Sequence, residues 1–271
     1  MSDARGWLAP VNTVSSADGT PIAYEQKGDG PVVVIVNGAM STAADAAGLA
    51  TALADAGFRA VTWDRRARGS SGDARGSIPE REVDDLAAVI DEVGGDAAVL
   101  GHSSGAVLAL VAASRGVPVR ALFLSEPPLR FGVDEPADDL AERLQGFVDA
   151  GQPAEAIVTF QLEGVGLPRE MVDSIRASDQ FAALVPLAQS TVYDTNLVRV
   201  ASTPSTEMLS VAAPVTVLRG AQTFPMLITA ADRLADEIDG AELVVVPESV
   251  MHRPDPAATA RVVQERMLPA R

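Results

Sequence analysis

Residues 97–116, AAVLGHSSGAVLALVAASRG, constrain the fold of this chain more than any other stretch. An apolar run of strand type reaches Gly101, and helical spacing begins at Ser104, which leaves no room for a loop. A strand that turns into a helix across one residue holds that residue, Ser103, in a strained backbone conformation. It also needs small residues on both flanks, because a Cβ there would meet the adjacent strand or helix. Gly101 and Gly105 supply them. Such a turn lifts the Ser103 hydroxyl above the C-terminal edge of a sheet, and the N–H of Ser104, at the start of a helix, can point at a developing negative charge. The plainer alternative is a glycine-rich connection in which Ser103 only caps the helix.

Around this unit, short apolar runs alternate with segments of helical spacing, the pattern of a mostly parallel sheet covered on both faces. Residues 12–15 and 23–27 read as an antiparallel edge hairpin, turning through ADGTP. Strands are expected at 31–38 (PVVVIVNG) and 59–64 (RAVTWD), with helices at 43–57 and 80–93. VRALFLSEPP (119–128) is the strand after the elbow helix. From 129 to 204 the spacing is amphipathic and helical, punctuated by Pro and Gly, with no convincing strand. The rhythm resumes with PVTVLRG (214–220), a helix over 226–239, AELVVVP (241–247) and a last helix over 256–267. The expected organisation is an α/β core built from residues 1–128 and 205–271, with an inserted helical cap at 129–204.

Composition narrows the function. A chain of 271 residues, 47% of them hydrophobic, can bury a full core. Its formal charge of −16, from 37 acidic and 21 basic residues, argues against nucleic acid or anionic membrane, both of which are bound through clustered Lys and Arg. A small neutral substrate fits better, and a homodimer is left open. The absence of cysteine excludes disulfides, thiolate metal sites and Cys nucleophiles, and neither metal nor cofactor is expected. MSDARGWLAP holds no apolar leader core, and no run approaches the roughly 18 apolar residues of a membrane helix; the expected location is cytoplasmic. Lys27 is the only lysine and alanine is abundant, a bias that points to a GC-rich bacterial genome.

A serine hydroxyl is a weak nucleophile until a base takes its proton. The chain has two histidines, and His102 lies inside the elbow. That leaves His252, in VPESVMHRPDP, a loop between the last core strand and the last helix. A lone loop histidine is otherwise an ordinary surface residue; its place after the serine, at a strand end, singles it out.

With these elements the chain resembles the α/β-hydrolase superfamily over essentially its whole length. Besides the G-x-S-x-G turn, VVVIVNGAM (32–40) is similar to the strand and oxyanion-hole turn that usually reads His-Gly. DRRARGSSG (64–72) is similar to the Asp-Arg-Arg-Gly-Arg-Gly-x-Ser-Gly stretch of the haloperoxidase- and esterase-like branch. That arginine-rich stretch reads as a packing and hydrogen-bonding loop with no chemistry of its own. The resemblance implies an oxyanion hole made by the backbone N–H groups of Ser104 and of Ala39 or Gly38. Two departures stand out. Asn37 occupies the position where histidine is common. VLRGAQTFP (217–225), which reads as a strand running into a Gly turn, carries Thr223 where the triad acid usually follows.

The acid has another candidate. Ser-Glu-Pro-Pro places Glu126 directly after the strand that follows the elbow helix, an alternative acid position known across the superfamily. Pro127 and Pro128 stiffen that turn and are expected to keep Glu126 extended. HSSGA with downstream SEPP is also similar to CSSGA with downstream ELP in fungal zearalenone lactonase, whose triad takes its acid there. Asp194, in TVYDTN, is the rival, provided that its helix packs low against the histidine loop; a glutamate that merely ends a strand in solvent is the plain alternative. The expectation is therefore a cofactor-independent serine hydrolase acting on an ester or lactone, with Ser103 as nucleophile, His252 as base and Glu126 as acid. Phe131, Phe160, Phe181, Leu184 and Tyr193 are pocket candidates, although for most of them helical spacing better suits an ordinary core within the cap. The same fold hosts C–C bond hydrolases and non-hydrolytic enzymes, and the departures at Asn37 and Thr223 keep open a ligand-binding protein on a weakly active scaffold.

Overall fold

A computed structural model describes residues 11–76 and 78–268; the opening decapeptide, read above for a leader segment, lies outside them. β1 (Asn12–Ser15) and β2 (Pro21–Lys27) form the antiparallel hairpin at one edge of the sheet. β3 (Val32–Val36), β4 (Arg59–Trp63), β5 (Ala97–His102), β6 (Ala121–Ser125), β7 (Val215–Gln222) and β8 (Glu242–Val250) run parallel. The order is β1-β2-β4-β3-β5-β6-β7-β8 in one sheet of eight strands. After β3 the chain moves outward to β4, then crosses back to β5 and builds the other half. The crevice above the C-terminal ends of β3 and β5 is therefore a topological switch point, where such sheets bind ligands.

The central strands are apolar on both faces because both are covered. Val32, Val34 and Val36 of β3 join the cluster under α2 (Pro79–Glu92), α3 (Ser104–Ser114) and α10 (Pro225–Glu237). Val33 and Ile35 join the opposite cluster, under α1 (Ala47–Asp55) and α11 (Pro256–Met267). Between β6 and β7 the chain forms α4 (Leu140–Asp149), α5 (Pro153–Thr159), α6 (Arg169–Arg176), α7 (Phe181–Leu184), α8 (Ala188–Ala201) and α9 (Thr206–Leu209), and no strand. This segment has an apolar cluster of its own around Leu140, Leu144, Ile157, Phe160, Val192 and Tyr193. α8 packs on α3. The elbow helix thus lies between the sheet and the helical segment, which explains why it is apolar around its whole circumference.

Two strand ends differ from the sequence reading. β7 does not stop at a Gly turn: it runs through Gly220 to Gln222, and β8 continues past Pro247 to Val250, with a shift of register between Gly220 and Gln222. An irregularity of this kind lets a glycine sit inside a strand, so His252 follows the strand almost directly rather than standing in a long loop. At the far edge, Lys27 pairs with Ala60 near the start of β4, and its Nζ donates to Thr51 Oγ1 at 2.8 Å. Among the described residues no helix is long and apolar enough to cross a membrane.

His102 closes β5. Its Nδ1 is shut off from solvent without a hydrogen-bond partner among the described residues, and its ring centroid lies 4.5 Å from that of His252. Burial, and then the proximity of His252, push its pKa down from 6.5 to about 3. Between those two values the unfolded chain binds a proton that the native state refuses, so stability is lost as pH falls through that window, by about 1.4 kcal/mol per pH unit. Urea midpoints measured from neutral pH down to pH ~4 should therefore fall less steeply in His102→Gln than in the parent; parallel slopes would show that His102 is protonated in the folded protein.

Candidate active site

Ser103 joins β5 to α3 with φ 55° and ψ −127°, a region that costs a non-glycine residue about 1–3 kcal/mol. The surroundings enforce it. The Ser103 N–H donates to Ser125 O at 2.9 Å. A Cβ on Gly105 would run into the carbonyl oxygens of Val36 and Asn37, and one on Gly101 into the backbone of Gly105 and Ala106. Ser103 makes no side-chain cap bond to α3, so the helix-cap alternative falls and the hydroxyl is left to the cavity that Ser103 lines.

Beside it, at the ends of the next strands, the Glu126 residue is only 3% exposed and its carboxylate holds the imidazole. His252 Nδ1 lies 2.5 Å from Glu126 Oε2. Thr223 Oγ1 donates to the same oxygen at 3.0 Å, and the Gly220 N–H donates to Oε1 at 2.8 Å. Gly220 is required here: a Cβ would overlap Ser249 O and stand 3.4 Å from Glu126 Oε1. Thr223, the residue in place of the expected acid, is thus a donor to the carboxylate that β6 delivers. Burial alone would raise the Glu126 pKa; the bonds from His252, Gly220 and Thr223 outweigh it and hold the carboxyl below its ordinary value. With Glu126 ionised, Nδ1 carries the proton that it shares with the carboxylate, which leaves Nε2 as the acceptor.

The backbone of Glu126 corrects one expectation. Despite Pro127 it is not extended but has φ 48°, and its N–H donates to Leu218 O at 2.9 Å. Ser103, Glu126 and His252, with cavity-lining Met40 and Met251, make five of the eight described non-glycine residues with positive φ. Backbone strain is therefore concentrated at this one crevice, as it is at functional sites.

The turn after β3 lies against the elbow: a Cβ on Gly38 would come within 3.4 Å of Ser103 Oγ and overlap Ser103 Cβ. Asn37, in place of histidine, closes this turn through Nδ2 to Thr42 O at 2.6 Å. The arginine-rich loop is buried beneath it. Arg68 Nη1 donates to Gly38 O at 2.5 Å and to Ser41 O at 3.2 Å, while Nη2 donates to Asp194 Oδ2 at 2.7 Å. Arg65 Nη1 donates to Asp194 Oδ1 at 2.9 Å and to Ser104 Oγ at 3.0 Å, and Arg65 Nε to Glu82 Oε1 at 2.8 Å. Ser104 Oγ in turn donates to Asp194 Oδ1 at 2.7 Å. Burial would raise the Asp194 pKa, but Arg68, Arg65 and Ser104 hold it below the ordinary carboxylate value. Asp194 lines the same cavity as Ser103 but is engaged by Arg65, Arg68 and Ser104, while His252 bonds Glu126. The arginine-rich stretch is the packing and hydrogen-bonding loop that the sequence suggested, but sequence reasoning missed its partners; the available signal was three arginines directly after a buried strand, charges that need partners if they are to be buried.

Ser103, Ser104, Ala39 and His252 line one cavity of about 990 Å³ between the sheet and the helical segment. Of the aromatic and aliphatic candidates only Phe160 lines it. Phe131 packs on the main core with the Arg233 guanidinium 4.2 Å above its ring. Phe181, Leu184 and Tyr193 fill the core of the helical segment, and Tyr193 OH donates to Asp73 at 2.9 Å. The lining is instead supplied by Met40, Leu167, Met171, Ile175, Val198 and Met226. Arg130, Arg199 and Arg253 also line it, and none of the three has an ion-pair partner among the described residues. Among the described residues no group of three His, Cys, Asp or Glu could hold a metal ion. The arrangement has the parts for nucleophilic chemistry: a strained exposed hydroxyl, an imidazole fixed by a carboxylate, and backbone N–H groups at the start of a helix, which have no intrahelical acceptor.

The sequence profile of the family described as serine aminopeptidase, S33 matches residues 29–239. No curated protein sequence matches the chain significantly. Among solved structures, an α/β hydrolase from Sphaerobacter thermophilus is 38% identical and superimposes with a TM-score of 0.87, over 94% of this chain and 99% of the other. A thermophilic esterase from Thermogutta terrifontis is 23% identical, with a TM-score of 0.70 over 94% of this chain and 96% of its own. The enol-lactonase from Burkholderia xenovorans is 20% identical, with a TM-score of 0.67 over 92% and 97%. The profile match across most of the chain and the Sphaerobacter relative agree with the strand order and elbow described above: the chain belongs to the α/β-hydrolase superfamily, in the family described as serine aminopeptidase, S33.

Proposed function

We propose that this chain is a serine hydrolase of carboxylesterase or lactonase type that cleaves an ester or lactone in a small molecule with a largely apolar body. The observation that carries the reading is the 2.5 Å Glu126–His252 pair, whose imidazole opens on the cavity lined by Ser103. Ser103 Oγ attacks the carbonyl carbon as His252 Nε2 takes its proton. The resulting oxyanion is bound by the N–H groups of Ser104 and of Ala39 or Gly38. His252 returns the proton to the leaving alcohol, an acyl-enzyme remains, and water activated by the same imidazole releases the acid. Glu126 holds the tautomer and stabilises the imidazolium, the role that the likeness to zearalenone lactonase implies for it. The helical segment 129–204 acts as a cap whose residues shape the acyl and alcohol pockets. An esterase and an enol-lactonase among the proteins of like fold make these carbonyl classes the first to assay.

A fluorophosphonate should label the protein once, on Ser103, because only an activated serine beside an oxyanion hole reacts readily with it. Ser103→Ala should abolish the label; labelling that persists or maps to Ser104 would sink the proposal. Absence of turnover of short-chain p-nitrophenyl esters, with ligand binding intact, would favour the scaffold alternative.

Glu126→Gln keeps the shape but removes the charge, so kcat should fall by up to about 10⁴-fold with the melting temperature retained. Thr223→Val removes one of the bonds that hold the carboxyl ionised and should cost about ten- to a hundredfold, since a bond to a charged group contributes about 1.5–3 kcal/mol. A Glu126→Gln variant within a few-fold of the parent would reject Glu126 as the acid.

One observation favours a substrate that carries a carboxylate beyond the scissile carbonyl. Arg130, Arg199 and Arg253, which have no ion-pair partner among the described residues, bring positive charge to the rim of a largely apolar cavity in a chain of formal charge −16, and the planar guanidinium matches a carboxylate bidentately. The half-ester of a dicarboxylic acid should then be hydrolysed with kcat/KM at least about tenfold above the diester, an advantage that shrinks in high salt. A diester that is the better substrate at every salt concentration would return the reading to a neutral molecule.

A further inference from the structure

We propose that Asp194 is a positioning residue of the oxyanion hole, acting from the helical segment through Arg68 and Ser104 to fix both donors at once. The inference rests on the serine-hydrolase reading above and adds a role to a residue that reading leaves idle.

The two donors lie on different strand ends. The Ala39 N–H belongs to the same peptide plane as the Gly38 carbonyl. In a trans peptide those two bonds point in opposite directions, and no cis bond occurs among the described residues. Whatever holds Gly38 O therefore aims the Ala39 N–H the other way. Arg68 Nη1 holds it at 2.5 Å. Because that contact is made by a full positive charge, it also polarises the peptide and makes its N–H a stronger donor. The turn needs the support: Met40, next in the chain, has φ 54°, and a residue in that region persists only where its surroundings over-determine it.

The second donor, the Ser104 N–H, starts α3. Its side chain is tied to the same anchor, with Ser104 Oγ donating to Asp194 Oδ1 at 2.7 Å. Asp194 Oδ2 meanwhile accepts from Arg68 at 2.7 Å. One carboxylate thus fastens the loop after β3 with one oxygen and the first turn of α3 with the other. Arg65 closes the ring, with Nη1 reaching Asp194 Oδ1 at 2.9 Å and Asn37 O at 3.3 Å. The side chains of this ring are all buried, so no water substitutes for a lost bond at little cost. Asp194 stands on α8 and lines the cavity together with Thr195, Val198 and Arg199 of the same helix. A substrate pressing on that helix would act on the same carboxylate that sets the hole.

The network touches neither His252 nor Glu126, and that separates a positioning role from a merely structural one. In Asp194→Asn, kcat should fall by about 10²–10³-fold, the loss seen when one oxyanion donor is removed, with KM within about threefold of the parent. The affinity of a trifluoromethyl ketone, which forms an oxyanion on Ser103, should fall in parallel, while the alcohol product binds as before. The pH profile of kcat/KM should keep its midpoint. Arg68→Lys keeps the charge but lacks the fork that serves Gly38 and Asp194 together, and should reproduce the pattern even if Asp194→Asn fails to fold. Parent-like kcat and ketone affinity in a folded variant would overturn the inference, as would a loss carried wholly by KM. If the parent itself takes no fluorophosphonate on Ser103, the hydrolase reading falls first and this inference with it; a labelled, active parent beside an unaffected Asp194→Asn overturns the inference alone.

Discussion

The close approach of α3 to the end of β3 is the constraint on which the rest of this molecule depends. It exists because Gly105 has no Cβ: one there would overlap the carbonyls of Val36 and Asn37. Any larger residue would push the helix off the sheet, and the start of α3 would part from the turn at Gly38. Because the gap is closed, the turn at Gly38 and the first turn of α3 lie together beside Ser103. Burying α3 between sheet and helical segment then makes the arrangement rigid, since packed interiors have few alternative arrangements.

The position of the carboxylate that holds His252 follows from competition for space at two neighbouring strand ends. β6 and β7 both finish beside His252, and only one carboxylate fits the imidazole. Two would repel each other across a partly dry crevice, and the pair would then be reluctant to ionise. Here β6 carries the charge at Glu126 and β7 carries neutral partners, the Gly220 N–H and the Thr223 hydroxyl. The left-handed backbone at Glu126 turns its side chain toward the adjacent strand, a strain offset by the bonds that the carboxylate receives.

Much of the fold was legible because each element announces itself locally. Alternating strand and helix periods marked the sheet, and Gly101, Ser103 and Gly105 marked the elbow. The placement of Glu126 and His252 at one edge could be read from the strands they follow. Gly220 was misread because a glycine after an apolar run resembles a turn, and only the partner strand shows the shift of register that admits it. The arginine-rich loop could be read as hydrogen-bonding, but its partner could not: Arg65 and Asp194 are separated by 129 positions, and charge pairing at that range leaves no periodic trace. Spacing could not divide the apolar residues of the helical segment between pocket and core, because a face turned to a cavity and a face turned to a neighbouring helix have the same period.

Lys27 gives the molecule a handle. It is the only side-chain amine in the chain, and its pairing with Ala60 places it at the edge where the parallel strands begin, opposite the crevice where they end. Coupling through its amine would tether the protein from that edge with the cavity facing outward. Most proteins, with amines scattered over the surface, attach to a support in many orientations and lose a share of their sites against it. This chain can be immobilised as an oriented layer without an added tag.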